Sequence, residues 1–200
     1  MNEIAAGIFH WTAFHEGVRH EVSSYYVEPV ATVLDPMAPA EGLDWFTGRN
    51  VDRVVLTNRH HYRHADRFVA QFDVPVLVDE VGLDDVKDRP GTTGFGWDEE
   101  VAPGVVAHAI DPIWPDEGAL HIALGKGWLA LADGAMHYGE DIGFVPDEHL
   151  GDDPERAKQL LRTGYGRLLD LDFDGILFAH GAPITEGGKA ALRAFVDGGS

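Results

Sequence analysis

The sequence predicts a single α+β domain, with mixed sheets and helices packed against them, and three observations carry that expectation. Residues 4–35 read as a run of apolar, β-branched segments joined by short links, which marks an antiparallel start. Residues 51–78 give strand, helix and strand with short connections, a βαβ unit that requires at least a partly parallel sheet. Residues 101–132 return to short strand-like segments, two of them joined by Gly125-Lys126-Gly127. A chain of 200 residues, 44% of them hydrophobic, is enough for one sizeable core and too little for two ordinary ones, so residues 1–200 read as one domain.

In chain order, residues 4–9, 22–27 and 30–35 are the expected first strands, with Glu28-Pro29 as a hairpin connection. Asp35-Pro36 ends the third, because proline restricts the residue before it, and residues 41–49, with Leu43, Trp45 and Phe46, suit a short helix. Residues 51–57 form the next strand. Its apolar run Val54-Val55-Leu56 gives way abruptly to His60, His61 and His64, three imidazoles within five positions. Ala65, Phe68, Val69 and Phe72 then recur at helical spacing, so the imidazoles sit where the end of a strand meets the start of a helix. Such junctions commonly hold ligands, because backbone N–H groups are unsatisfied there.

Residues 74–78 read as a short buried strand, and residues 82–100, rich in Gly, Asp and Pro, as a surface excursion. Strands are expected at residues 101–110, 119–124 and 128–132. The clearest helix spans residues 154–171, with Asp152 and Asp153 as cap candidates, Pro154 in the first turn and Ala157, Leu160, Leu161, Leu168 and Leu169 on its apolar face. Gly164 and Gly166 weaken its continuity. Residues 175–179 are a strand that ends at His180-Gly181, and residues 187–196 a closing helix.

Composition excludes several function classes. There is no cysteine, so disulfides, thiolate nucleophiles and thiolate metal sites are all ruled out, and any metal must be held by nitrogen and oxygen. With 34 acidic and 15 basic residues the formal net charge is −19, which repels a phosphate backbone, and no basic run forms a local patch; nucleic acid is not an expected partner. No window approaches the roughly 18 apolar residues of a spanning helix, and the N-terminus lacks a basic region followed by an apolar one. The chain is therefore expected in the cytoplasm, away from membranes.

Four polar clusters fall at or just after strand ends: Asp35, Asn58 to His64, Asp133 and His180. Strands of two packed sheets would bring such ends to one rim. His60 is a candidate ligand or a loop cap. His61 and His64 are expected at solvent. Asp133 before Gly134 suits a turn as well as a ligand. His180 follows an apolar strand, where a polar ring is costly unless it lines a site. Asp35 reads as a structural acceptor, while spacing does not place His137 or Glu117. The aromatics Trp97 and Trp114 suit either an exposed surface for assembly or the core.

The order of these features resembles the metallo-β-lactamase superfamily, and the resemblance covers nearly the whole chain. Its carriers are Leu34-Asp35-Pro36, Leu56-Thr57-Asn58-Arg59-His60-His61-Tyr62-Arg63, Leu129-Ala130-Leu131-Ala132-Asp133-Gly134 and Phe178-Ala179-His180-Gly181. The resemblance implies a four-layer αββα sandwich, two mixed sheets flanked by helices, and metal-dependent hydrolysis. The family's Thr-His-x-His-x-Asp-His motif falls on Asn58, His60, Tyr62 and Arg63, so one of its four ligands survives. A further family histidine falls on Ile113, while Asp133 and His180 match the late ligands.

What this implies is an eroded site of at most one ion, zinc or another divalent metal, held by His60, Asp133 and His180, with a small-molecule substrate. No catalytic residue beyond these is identified, and Arg63 places a fixed positive charge where a second ion would need a ligand. The alternative is a metal-free pseudoenzyme of the same fold that binds a small anion through Arg59, Arg63 and His180. Tyr62 and Arg63 are then a replacement pair rather than a relic. The sequence leaves the substrate and the subunit number open.

Overall fold

The computed structural model describes residues 1–110 and 115–198. A seven-stranded sheet contains β1 (Asn2–Ala5), β2 (Ile8–His15), β3 (His20–Val27), β4 (Thr32–Leu34), β5 (Arg53–Val55), β6 (Val76–Asp79) and β7 (Thr92–Phe95), in that spatial order. Its first half is antiparallel, and β4 through β7 pair in parallel. The helix α1 (Ala65–Phe72) makes the crossover between β5 and β6, and α2 (Leu83–Val86) precedes β7. A five-stranded sheet then forms from β8 (Glu100–Ala102), β9 (Val105–Ala109), β10 (Gly118–Ile122) and β11 (Trp128–Leu131). After a small ribbon of β12 (Ala135–Met136) with β13 (Gly143–Phe144) comes α3 (Pro154–Leu168). β14 (Gly175–Phe178) joins the five-stranded sheet in parallel beside β11, and α4 (Gly188–Val196) closes the chain.

Three hydrophobic clusters occupy the three interfaces of four layers. Period-two alternation sends neighbours on one strand to different clusters. Val54 faces α1 and Phe68, while Val55 faces the second sheet. Likewise Leu129 and Leu131 pack with Leu161 and Leu168 of α3, whereas Ala130 and Leu177 join Tyr25 and Leu34 between the sheets. Both faces of both sheets are covered, which is why the central strands read as continuous apolar runs. The arrangement is the αββα sandwich that the resemblance implied.

Several expected boundaries move. The stretch 4–9 is not one strand; the chain turns at Gly7 (φ 74°), where an added Cβ would press on the Pro29 ring. Residues 10–21, unassigned from sequence, complete the β2–β3 hairpin. The supposed surface excursion contributes β7, paired in parallel with β6. Residues 101–110 fold as the β8–β9 hairpin rather than one strand. Residues 41–49 hold only a 3-10 turn at Leu43–Phe46. The helix expected to residue 171 ends at Leu168, while Asp153 caps it as expected by accepting from the Arg156 N–H at 3.1 Å. Trp97 packs partly buried against the core between the sheets. Ile113 and Trp114 lie outside the described residues. No described helix is long and apolar enough to cross a membrane.

Candidate metal centre

The site begins with the two ends of the parallel pair β4 and β5. Asp35, just past β4, takes a positive φ of 47° and turns its carboxylate across to the other strand's end. There it accepts from the Thr57 N–H (2.8 Å) and the Thr57 hydroxyl (2.7 Å), as befits a structural acceptor. Asn58 then caps a 3-10 turn, Arg59–Tyr62, by accepting from the His60 N–H at 2.9 Å. One helical turn places His61 back over Thr57, whose hydroxyl lies 2.9 Å from His61 Nδ1, with Asp35 Oδ2 at 3.2 Å.

The other half of the site comes from the second sheet. β11 and β14 are adjacent parallel strands, so Asp133 and His180, each two residues past its strand, emerge side by side. His61 Nε2 and His180 Nε2 each lie 2.9 Å from Asp133 Oδ1. Asn58 Nδ2 donates to Asp133 Oδ2 at 2.9 Å. Beneath them Glu117, only 1% exposed, accepts from the Gly134 N–H (2.7 Å), the Asp133 N–H (3.3 Å) and the Tyr165 hydroxyl (3.2 Å), which fixes the turn that carries Asp133. The Tyr138 hydroxyl lies 3.4 Å from His180 Nδ1. The group opens on a cavity of about 1050 Å³ lined in part by Asn58, His60, Glu117, Asp133 and His180.

The structure thus brings Asp133 and His180 together and supplies His61, expected at solvent but buried at 3% exposure, as the third member. His60 is exposed and lines the cavity beside them. His64 is half-buried, and its Nδ1 accepts from the Ala38 N–H. The Tyr62 hydroxyl points away, to Pro90 O at 2.8 Å. Arg63, with φ 43°, donates from Nη1 to Ser23 O and Asp35 O, both at 2.8 Å. His137 Nδ1 is 2.7 Å from Ala182 O. Sequence reasoning missed His61 and left Glu117 unplaced. The available signal for His61 was its i+4 spacing from Thr57 past a capping asparagine.

Burial opposes a charge on His61 and Arg63 repels it, but the carboxylates of Asp133 and Asp35 outweigh both and raise its pKa to about 9. Burial likewise works against ionised Asp133, yet the His61 charge and the hydrogen bonds of both imidazoles hold it well below the carboxylate range. Glu117 is pushed up to about 8 by burial and by the neighbouring Asp133.

Two imidazole nitrogens and one carboxylate oxygen lie within 4.8 Å of one another, a group whose nitrogen and oxygen donors could hold a metal ion. The hydrogen bond at His61 Nδ1 turns Nε2 toward Asp133 and His180. No second such group occurs among the described residues.

No family model and no curated protein matches the chain. Solved structures do. TTHA1623, crystallised in a di-iron-bound form, is 20% identical with a TM-score of 0.65, over 92% of this chain and 96% of that one. A metallo-β-lactamase from Staphylococcus aureus subsp. aureus COL is 14% identical (TM-score 0.63; 96% of this chain, 66% of that). The metal-soaked Flv1 flavodiiron core from Synechocystis sp. PCC6803 is 11% identical (TM-score 0.64), and the chain spans 59% of its length. The chain has the metallo-β-lactamase fold.

Proposed function

We propose that the protein is a metal-dependent hydrolase of metallo-β-lactamase type, acting on a small molecule at a mononuclear site of His61, Asp133 and His180. The observation that carries this reading is the meeting of two imidazole Nε2 atoms at one carboxylate oxygen, on the wall of a cavity large enough for a small-molecule substrate. A divalent ion held there, zinc for example, would lower the pKa of bound water and polarise a substrate oxygen. The chain's own residues prepare the place. Asp35 and Thr57 fix the His61 ring, Asn58 fixes the outer oxygen of Asp133, and Glu117 with Tyr165 holds the backbone beneath it. Arg63 keeps a permanent charge close to Asp35 and Asp133, which disfavours a second cation. The di-iron-bound TTHA1623 structure supports metal chemistry on this fold.

Elemental analysis of protein purified without a chelating column tests the reading. About one divalent ion per chain is expected, lost in His180→Ala and Asp133→Ala, with activity against general ester and amide substrates following the metal. No ion under any supplementation would overturn it.

A second reading, metal-free binding of a small ligand, is favoured by one observation: with His61 charged between Asp35 and Asp133, the polar groups of the cluster are satisfied by one another. Thermal shift separates the two, since divalent metals stabilise the first and only small ligands the second.

A further inference from the structure

A second cavity of about 360 Å³ adjoins the large one, and the two share His15 and His60. Their charge characters are opposite. The large cavity has an apolar wall of Val18, Met136, Phe144, Val145 and Pro146. Its acidic side chains include Asp116, Asp133 and Asp141, and among the described residues no lysine or arginine lines it. The small cavity instead gathers Arg59, Arg63 and Arg89 around a single carboxylate, Asp85. In a chain with 34 acidic residues against 15 basic ones, that inverts the overall balance.

Two of the three guanidinium groups are already held. Arg59 pairs with the buried Asp116 and, through Nε at 2.7 Å, with Asp85, whose side chain is 67% exposed. Arg63 is fixed to the Ser23 and Asp35 carbonyls. Arg89 differs. Its guanidinium lies 4.8 Å from the centroid of the Tyr62 ring, and no carboxylate among the described residues pairs with it. On the shared wall His15 is held toward its neutral form, first by burial and then by the nearby charge of Arg63. A small concavity that holds three guanidinium groups, one of them unneutralised, suits an oxyanion, which planar N–H forks bind well.

We propose that the small cavity is an anion subsite, which holds the carboxylate or phosphate end of a small ligand whose apolar body lies in the large cavity. Asp85 occupies Arg59 until the ligand's anion displaces it toward solvent. The inference rests on the proposed function only in taking the large cavity as the place of the ligand's body; it requires no metal.

Titration calorimetry on the full chain, after chelator treatment and again with zinc, tests it with three matched probes: phenylbutyrate, phenylpropyl phosphate and phenylbutanol. In chelated protein at least one anionic probe is expected to bind about tenfold tighter than the alcohol, the worth of one charge-assisted hydrogen bond, and the tighter anion tells carboxylate from phosphate. Arg89→Ala, at an exposed position, should fold normally and remove most of the preference, while Arg89→Lys keeps part of it. Equal binding of alcohol and anions, no binding of any probe, or a preference that survives Arg89→Ala overturns the subsite. An anion preference seen only with zinc and indifferent to Arg89 also overturns it while leaving the metal reading intact. A preference that persists in a chain that takes up no metal supports the subsite and removes the metal.

Discussion

Asn58 accepts from the His60 N–H with its amide oxygen and donates to Asp133 with its amide nitrogen. An alanine can do neither, and an aspartate would set a second carboxylate against Asp133. Asn58→Asp is therefore expected to lower metal-free stability by about 2–3 kcal/mol, more than Asn58→Ala does, as read from urea unfolding. The neighbouring ionisable groups set the pH dependence. His61, raised to about 9, contributes stability that is whole below its unfolded value of about 6.5 and is lost as pH climbs through 9. Glu117, raised to about 8, also prefers its proton when folded, so the fold weakens as pH rises from about 4.3 toward 8. Asp133 has the opposite sign; its contribution is present above about 3.9 and disappears as pH falls toward its depressed folded value. Urea midpoints are expected to be highest at about pH 4–5 and to fall as pH rises toward 9. Glu117→Gln should flatten the part below pH 8, and an unchanged alkaline slope in that variant would assign the loss elsewhere.

Elements show where sequence suffices and where it does not. The runs Val54-Val55-Leu56 and Ile176-Leu177-Phe178 are buried on both faces, and burial of that kind leaves a plain apolar signature. The strand Thr92–Phe95 leaves none, because it is four residues long, contains Gly94 and gains its place from pairing with β6. Asp133 and His180 were legible as polar residues at strand ends. His61 was less so: its spacing from Thr57 marks the turn, but its burial depends on two carboxylates from distant strands. The seam between the sheets is equally non-local. The Tyr25 hydroxyl donates to Phe178 O (2.8 Å), and the Ser23 N–H to Ala179 O (2.9 Å), tying β3 to β14 just before His180. Tyr25→Phe orphans a buried carbonyl and is expected to cost about 1–3 kcal/mol by urea unfolding. Gly164 lets α3 approach the Ile110 carbonyl so closely that a methyl group has no room. Gly164→Ala should cost about 1–3 kcal/mol and, through the adjacent Tyr165 and Glu117, weaken zinc binding measured by calorimetry.

For the molecule as a whole, the surplus of acid is a standing self-repulsion. With a net charge of −19, moderate sodium chloride is expected to raise the melting temperature by about 2–4 °C, the shift that roughly 1 kcal/mol gives in a chain of this size; a fall with salt would show that specific ion pairs outweigh the general field. The same architecture divides the candidate centre unevenly, with His61 on the seven-stranded side and Asp133 and His180 on the five-stranded side. Neither half can assemble the trio alone. Prying the two slabs apart at that one end would part His61 Nε2 from Asp133 Oδ1 while each sheet kept its own ladder, so the cluster is a caliper for how tightly the sandwich is shut.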